Sequence, residues 1–141
     1  MTIIENLSDI SLHYFALVRQ LSSKFEITLS QTLVLISLPF DGITISDLSE
    51  KLGIDISTMT RNIQRMEKKQ LIKKTPNPND KRSIKIILTK RGTLLNESLN
   101  KDISSSINKV ISQYDLKTSN NIKNHLEHLS WDLYLLRKQL K

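Results

Sequence analysis

The feature that most constrains the fold is a change of periodicity near Leu71. Before it, two segments with helical spacing are separated by Gly53-Ile54-Asp55, which predicts a helix-turn-helix. After it, two short β-rich runs, residues 72–75 and 83–88, flank the turn signal Pro76-Asn77-Pro78-Asn79-Asp80. A β-hairpin of this kind directly after a helix-turn-helix predicts a winged helix.

Capping signals indicate where the helices of this central segment begin and end. Thr44-Ile45-Ser46-Asp47 resembles a capping box, Gly53 suits the position just after a helix, and Asp55 suits the cap of the next one. The helix that follows Asp55 has Met59, Ile63 and Met66 on one face. We therefore expect that face to be buried and the opposite, polar face to be exposed.

Further helices are expected on both sides of the central segment. The run from Leu7 to Leu21 has helical spacing with Asn6 or Ser8 as cap, and Ser30 would cap a second helix that ends before Pro39. Beyond a helix capped by Thr89, the last helix repeats apolar residues at intervals of four and three: Ile122, Leu126, Leu129, Leu133, Leu136 and Leu140. These six residues, the leucine stripe, have the heptad-like spacing that is typical of a helix that packs against another helix.

Composition restricts the class of protein. The 141 residues include three Gly, three Pro and no Cys, which favours long helices and excludes a disulfide framework or a thiolate metal site. The first ten residues lack a basic segment followed by an apolar block, so we expect no signal peptide, and no apolar run approaches a membrane span. A cytoplasmic location is the corresponding expectation.

Positive charge is concentrated in one stretch of the chain. From Arg61 to Arg91 there are eleven Lys or Arg and two acids, Glu67 and Asp80, a net charge of +9, whereas the whole chain carries +7. Because the remainder is slightly acidic, the basic surface is local, as in proteins that bind a polyanion.

Residues 29–92 resemble the MarR family of bacterial transcription regulators. The resemblance rests on LSQTLVLISL, on STMTR near the start of the second helix, and on Asp80-Lys81-Arg82 followed by Leu88-Thr89 and Arg91-Gly92. It implies a mainly α fold with a small β-hairpin wing, in which a winged helix-turn-helix is flanked by N- and C-terminal dimerisation helices. The chain departs from the family pattern at Gln70, where Gly is usual; Gln70 must either adopt a positive φ or end the helix differently.

The second helix of the helix-turn-helix would read duplex DNA. An α-helix fits the major groove, where hydroxyl groups reach phosphates or bases, Arg binds guanine and Gln binds adenine. The predicted contacts on this helix are Ser57, Thr58, Thr60, Arg61, Gln64 and Arg65. The alternative for Ser57 and Thr58 is that they only cap the helix, and for the two arginines that they are simply solvated.

The wing would form a second contact. The resemblance implies that Arg82 enters the minor groove, where the negative potential of a narrow groove favours a guanidinium. Asp80 would structure the wing, either by pairing with Arg82 or through a hydrogen bond that closes the turn. Lys73, Lys74 and Lys81 are predicted phosphate contacts, with solvation as the alternative.

The resemblance also implies a two-fold homodimer, formed by the helices in residues 1–28 and 93–141 around the DNA-binding domain, residues 29–92. Such a dimer would bind a pseudo-palindromic operator with half-sites about 10 bp apart, or a multiple of that. The predicted interface residues are Leu7, Ile10, Ile122, Leu126, Leu129, Leu133, Leu136 and Leu140. Trp131 lies off the leucine stripe, and we expect it to pack in the core or at an interface.

Ligand and metal sites have weaker signals. The resemblance implies a repressor that a small-molecule effector releases, and His13, Tyr14 and Phe15 are candidates for lining its pocket, with core packing as the alternative. His125 and His128, together with His13, are the candidate ligands of a metal-responsive variant of the same fold; the expectation is nonetheless no metal and no cofactor.

An enzyme is the least favoured class, because the chain lacks nucleophile, phosphate-loop and HExxH motifs. A non-specific DNA-packaging or protein-interaction winged helix is the other alternative.

Overall fold

A computed structural model describes residues 1–141 and contains six α-helices and three short β-strands. In chain order these are α1 (Ile3–Ser23), α2 (Leu29–Ser37), β1 (Ile43–Thr44), α3 (Ile45–Leu52), α4 (Ile56–Lys68), β2 (Ile72–Pro76), β3 (Ile84–Leu88), α5 (Lys90–Ile111) and α6 (Leu116–Gln139). The chain divides into two compact units, Met1–Ile103 and Ser104–Lys141. None of the helices combines the length and the apolar character that crossing a membrane would need.

The first two helices begin earlier than the sequence analysis predicted. Thr2 caps α1 and Thr28 caps α2, each in a capping box with the residue three positions on, Glu5 and Gln31. The predicted caps Asn6, Ser8 and Ser30 are therefore wrong. The capping box prevails because its two reciprocal hydrogen bonds satisfy two backbone N–H groups, whereas a lone hydroxyl satisfies one. Ser30 instead accepts a hydrogen bond from the amide of Asn62 on α4.

The predicted helix-turn-helix is confirmed as α3 and α4. Thr44 caps α3, and Gly53 follows it in the left-handed region with a φ of 65°. Asp55 then caps α4. The predicted inner face of α4 is fully buried at Met59, Ile63 and Met66 (each 0% exposed), as part of a core that also contains Val18, Val34, Leu35, Leu48, Leu71, Ile86 and Leu99. Burial of this face fixes the direction of the opposite one.

The exit from α4 takes the first of the two conformations expected for Gln70. Its φ is 58°, and the backbone N–H groups of Gln70 and Leu71 donate to the carbonyl oxygens of Glu67 and Met66 at 2.8 and 3.0 Å. This is a Schellman motif, the same helix ending that Gly53 adopts after α3. A non-glycine residue in this region is strained by steric contact between its Cβ and the backbone.

The wing is a three-stranded antiparallel sheet in the order β1-β3-β2, and its third strand was not predicted. The hairpin of β2 and β3 matches the expectation, with Ile72 opposite Leu88 and Pro76 opposite Ile84. Strand β1 adds Ile43 opposite Ile86. It has only two residues, too few to show an alternating pattern, and its second residue, Thr44, is also the cap of α3.

The start of α5 packs closely against the chain that leaves α4. Thr89 caps α5 as predicted, since its hydroxyl accepts the N–H of Gly92 at 3.0 Å and donates to the carbonyl of Gln70 at 2.6 Å. A Cβ on Gly92 would lie 1.9 Å from the carbonyl oxygen of Leu71. Only glycine permits this approach, which holds the wing and α5 next to the end of α4.

The second unit contains the end of α5 and all of α6, which Asp115 caps. No residue of α6 is buried. The leucine stripe therefore has no buried member within the chain: Ile122 and Leu129 are half-buried, and Leu126, Leu133 and Leu136 are 49%, 43% and 49% exposed. Trp131 is 60% exposed and stacks on Tyr134 at a centroid distance of 5.3 Å. Core packing of Trp131 within this chain is thus wrong, because α6 has no core here.

Candidate nucleic-acid interface

The outer face of α4 carries the residues predicted to read DNA. Ser57, Arg61, Gln64 and Arg65 are exposed, and Thr58 and Thr60 are half-buried. The spacing of Ser57, Arg61 and Gln64 by four and three residues places them on the face opposite Met59 and Met66. The structure therefore places the whole predicted set on one helix, with four of its members exposed.

Asp55 is the centre of a hydrogen-bond network at the N-terminus of α4. One carboxylate oxygen accepts from the Ser57 hydroxyl at 2.5 Å and from the Thr58 backbone N–H at 2.8 Å. The other accepts from the Thr58 hydroxyl at 2.7 Å. These bonds, that of the Ser57 hydroxyl first, hold the pKa of Asp55 well below its ordinary value. The carboxylate is therefore ionised across the physiological pH range.

The network changes the interpretation of the hydroxyl residues. Capping and DNA contact were the alternatives for Ser57 and Thr58, but Asp55 provides the cap and the two hydroxyls donate to it. The Thr60 hydroxyl donates to the carbonyl of Ile56 at 2.8 Å, within its own helix. The spacing Asp-x-Ser-Thr is the sequence signal for this arrangement, although the sequence predicted only the capping role of Asp55.

The wing carries Arg82 at its exposed turn. Asp80 accepts the backbone N–H of Arg82 at 2.9 Å, which corresponds to the turn-closing alternative for Asp80. Asn77 supports the same turn, since its amide donates to the Ser83 hydroxyl at 2.7 Å and its carbonyl oxygen accepts from the N–H of Asn79 at 3.1 Å. These side chains fix the backbone of the turn and leave the exposed guanidinium of Arg82 to meet a partner.

The lysines of the basic stretch fall into two groups, those that are exposed at the surface and those whose ammonium is bonded within the fold. Lys73, Lys74 and Lys81 are exposed, as phosphate contacts would be, although Lys74 also lies 3.5 Å from the Glu67 carboxylate. An exposed ion pair of this kind contributes little to stability, so it does not prevent Lys74 from meeting a phosphate.

Lys69 belongs to the second group and was not singled out from the sequence. Its ammonium donates to the carbonyl oxygen of Glu26 at 2.5 Å and to the side-chain oxygen of Gln31 at 3.2 Å. Glu26 has a φ of 57° and lies between α1 and α2. The ammonium therefore ties the end of α4 to that turn and contributes to the fold instead of the basic surface.

The other predicted site residues occupy the terminal helices. Leu7 is half-buried and Ile10 exposed on α1, and the leucine stripe runs along α6. On α1, His13 is exposed, Phe15 is 37% exposed and Tyr14 is half-buried, with the two aromatic rings 5.9 Å apart. His13 and Phe15 therefore lie outside the core of this single chain, and their role in a pocket stays a prediction.

The candidate metal ligands do not form a cluster. His125 and His128 are exposed on α6, and Nδ1 of His125 lies 2.7 Å from the carbonyl oxygen of Asn121, one turn earlier. No group of three or more His, Cys, Asp or Glu side chains is arranged to hold a metal ion.

The fold and the site together define a winged helix-turn-helix protein with a basic, outward-facing second helix. The sequence model of the MarR family matches residues 27–84, and over this segment the chain is similar to that family, as the resemblance indicated. The match covers α2 to the start of β3, the segment that contains the helix-turn-helix and most of the wing hairpin.

Comparison with individual proteins agrees with this similarity. The multiple antibiotic resistance protein MarR of Salmonella typhimurium is 38% identical over 76 residues, 53% of each protein, so the chain spans about half the length of this curated relative. A MarR transcriptional regulator from Methanosarcina mazei has a TM-score of 0.84 at 24% identity, covering 95% of this chain and 97% of that one. A mutant of E. coli MarR solved with operator DNA has a TM-score of 0.71 at 23% identity, covering 89% and 91%. The structural matches extend the fold similarity beyond the matched segment into both terminal regions.

Proposed function

We propose that the protein is a sequence-specific DNA-binding transcription regulator that binds duplex DNA through α4 and the wing. The observation that carries the proposal is the division of α4 into a fully buried apolar face and an exposed face with Arg61, Gln64 and Arg65. The relative of known structure that was solved with operator DNA supports it. Similarity to a family of transcription regulators also favours this class over an enzyme.

The proposed contacts follow from the exposure of each group. The guanidinium of Arg61 and the amide of Gln64 lie on the face that would meet base edges in the major groove. Arg82, at the turn of the wing, would enter the adjacent minor groove, where a narrow groove has an enhanced negative potential. Lys73, Lys74 and Lys81 would neutralise phosphates, which sets affinity without reading sequence.

We also propose that the protein acts as a homodimer. The leucine stripe of α6 has six members and none is buried within the chain, and Ile3, Ile4 and Ile10 are exposed on α1. Each large apolar side chain removed from water contributes about 1.5–3 kcal/mol. A second copy would cover these faces, with residues 1–28 and 93–141 forming the dimer and residues 29–92 binding DNA. Two copies of α4 would then read a pseudo-palindromic operator.

We also propose that the protein is a cytoplasmic repressor that a small-molecule effector releases from DNA. It rests on the family, and Tyr14 and Phe15 are the aromatic residues on α1 that would line a pocket. A thermal-shift screen of aromatic carboxylates, followed by release of bound DNA, tests it. A compound that raises the melting temperature without displacing DNA would contradict this role.

The proposed function is tested by selecting duplexes from a random library and comparing the best of them with random duplex. A regulator prefers its own site by about 10³-fold or more. A ratio near one in the same buffer would favour the DNA-packaging alternative, and failure to bind either duplex would leave the protein-interaction alternative.

A further inference from the structure

We propose that Asp55 is a positioning residue that fixes the hydrogen-bond polarity of Ser57 and Thr58, so that the two hydroxyls read base amino groups and not phosphates. The inference rests on the proposed DNA-binding function and deepens it. It concerns which chemical groups of the duplex these two side chains recognise at the start of α4, where a recognition helix approaches base edges.

The positions of the hydroxyl hydrogens follow from the chemistry of Asp55. A hydroxyl group has one hydrogen to donate and two lone pairs to accept with, whereas an ionised carboxylate only accepts. The Ser57 hydroxyl lies 2.5 Å from one oxygen of Asp55 and the Thr58 hydroxyl 2.7 Å from the other. Since the carboxylate has no proton to give, both hydroxyl hydrogens must point toward Asp55. What Ser57 and Thr58 present to a partner is therefore lone pairs.

Lone pairs discriminate between the groups of a duplex. In the major groove the donors are the N4 amino group of cytosine and the N6 amino group of adenine; guanine N7 and O6, thymine O4 and adenine N7 only accept. Phosphate oxygens also only accept. With their hydrogens engaged, the Ser57 and Thr58 hydroxyls complement cytosine or adenine and have nothing to offer a phosphate.

Charge adds a second reason. Asp55 is exposed at the N-terminus of α4, so its negative charge lies within 3 Å of both hydroxyl oxygens. A phosphate at either hydroxyl would be repelled by this charge, whereas the partial positive charge of an amino group would be attracted. Arg61 shows the same polarity within the protein, since its guanidinium Nη2 lies 3.5 Å from the Thr58 hydroxyl oxygen, which is the accepting atom.

The test compares duplexes that differ by one amino group. The probe is the best duplex from the random-library selection, in which each half-site adenine is replaced in turn by purine, which keeps N7 but lacks the N6 amino group; cytosines are replaced by the analogue without the N4 amino group. Fluorescence anisotropy gives the affinity of the wild type and of Ser57→Ala, Thr58→Val and Asp55→Asn for each duplex. We expect at least one replacement to weaken wild-type binding about tenfold.

The variants should lose that discrimination. Ser57→Ala or Thr58→Val should bind the parent and the replaced duplex with affinities within about twofold, because the accepting atom is gone. Asp55→Asn should also bind the parent and the replaced duplex with similar affinities. The asparagine amide is itself a donor, so one of the two hydroxyls accepts from it and its own hydrogen points outward. Asp115→Asn is the matched control: Asp115 caps α6 through the Thr118 N–H at 2.9 Å and the Thr118 hydroxyl at 2.7 Å, so its loss should affect stability without changing base discrimination.

Two results would overturn the inference. In the first, the wild type binds every replaced duplex as well as the parent. In the second, Ser57→Ala and Thr58→Val, which leave the cap intact, keep the full wild-type discrimination. Neither result resembles failure of the proposed function, because in that case the wild type would prefer no selected duplex over random DNA and the comparison would show no specific binding at all.

Discussion

Helices α4 and α6 are both amphipathic, but only α4 has its apolar face buried within the chain. The inner face of α4 is fully buried within the chain, and its ends are held by Asp55 and by the ammonium of Lys69. In α6 no residue is buried, although its apolar repeat is the more regular of the two. A regular stripe therefore indicates that a helix needs a partner, and only the surrounding chain decides whether that partner is intramolecular.

The largest effect is expected from breaking the α6 stripe. Leu133→Asp places a charge among apolar side chains that a second copy would bury, at a cost of several kcal/mol, so the protein should sediment as a monomer and bind DNA weakly. Leu135→Asp is the control, because Leu135 is similarly exposed (40% against 43%) but lies off the stripe. A Leu133→Asp protein that remains dimeric in analytical ultracentrifugation would remove α6 from the interface.

The second-largest effect is expected from removing the arginine of the wing. Arg82→Ala should weaken binding to the selected duplex by about tenfold or more at fixed salt, because the minor-groove contact of the guanidinium is lost. Lys81→Ala, the neighbouring exposed cation, should weaken it less. Equal gel-shift titrations for Arg82→Ala and the wild type would remove the minor-groove contact of Arg82 from the proposal.

Salt dependence separates the two kinds of lysine near α4. Each phosphate contact adds about 0.9 to the slope of log affinity against log salt, so Lys81→Ala should reduce the slope by about one. Lys69→Ala should leave the slope unchanged and lower the free energy of unfolding, because the ammonium is bonded to the Glu26 carbonyl oxygen. A reduced slope for Lys69→Ala would instead place this lysine on the DNA.

The smallest effect is expected at the end of α4. Gln70→Gly should raise the free energy of unfolding by about 0.5–1 kcal/mol, since relief of the strain at a φ of 58° exceeds the added entropy of the unfolded chain. Gln70→Ala keeps the strain and should leave stability near the wild-type value. Urea titration measures both; if Gly and Ala give the same midpoint, the positive φ carries no cost.

Much of the central segment could be predicted from sequence because its signals are local. Caps such as Asp55, the glycine after α3 and the Pro-Asn turn depend on residues within a few positions, so they specify the helix-turn-helix and the hairpin directly. Gln70 was singled out differently, through the departure from the family pattern, and only the structure shows which of its two alternatives holds.

Interactions between distant residues could not be predicted in this way. Asn62 bonds to Ser30 and Lys69 to Glu26 across 32 and 43 positions of sequence, and β1 becomes a strand only because β3 lies beside it. The direction of the Ser57 and Thr58 hydroxyl hydrogens was missed for another reason. It depends on which atoms share Asp55, and residue types alone do not show that.

Because both ends of α4 are held by hydrogen bonds, the entropy cost of ordering this helix on DNA binding is small. Asp55 holds its first turn, and Lys69, together with the Schellman motif at Gln70, holds its last. The helix therefore loses its conformational entropy when the protein folds, before any duplex is present. Binding would need little further ordering of the recognition surface, so most of the contact energy is available for telling one sequence from another.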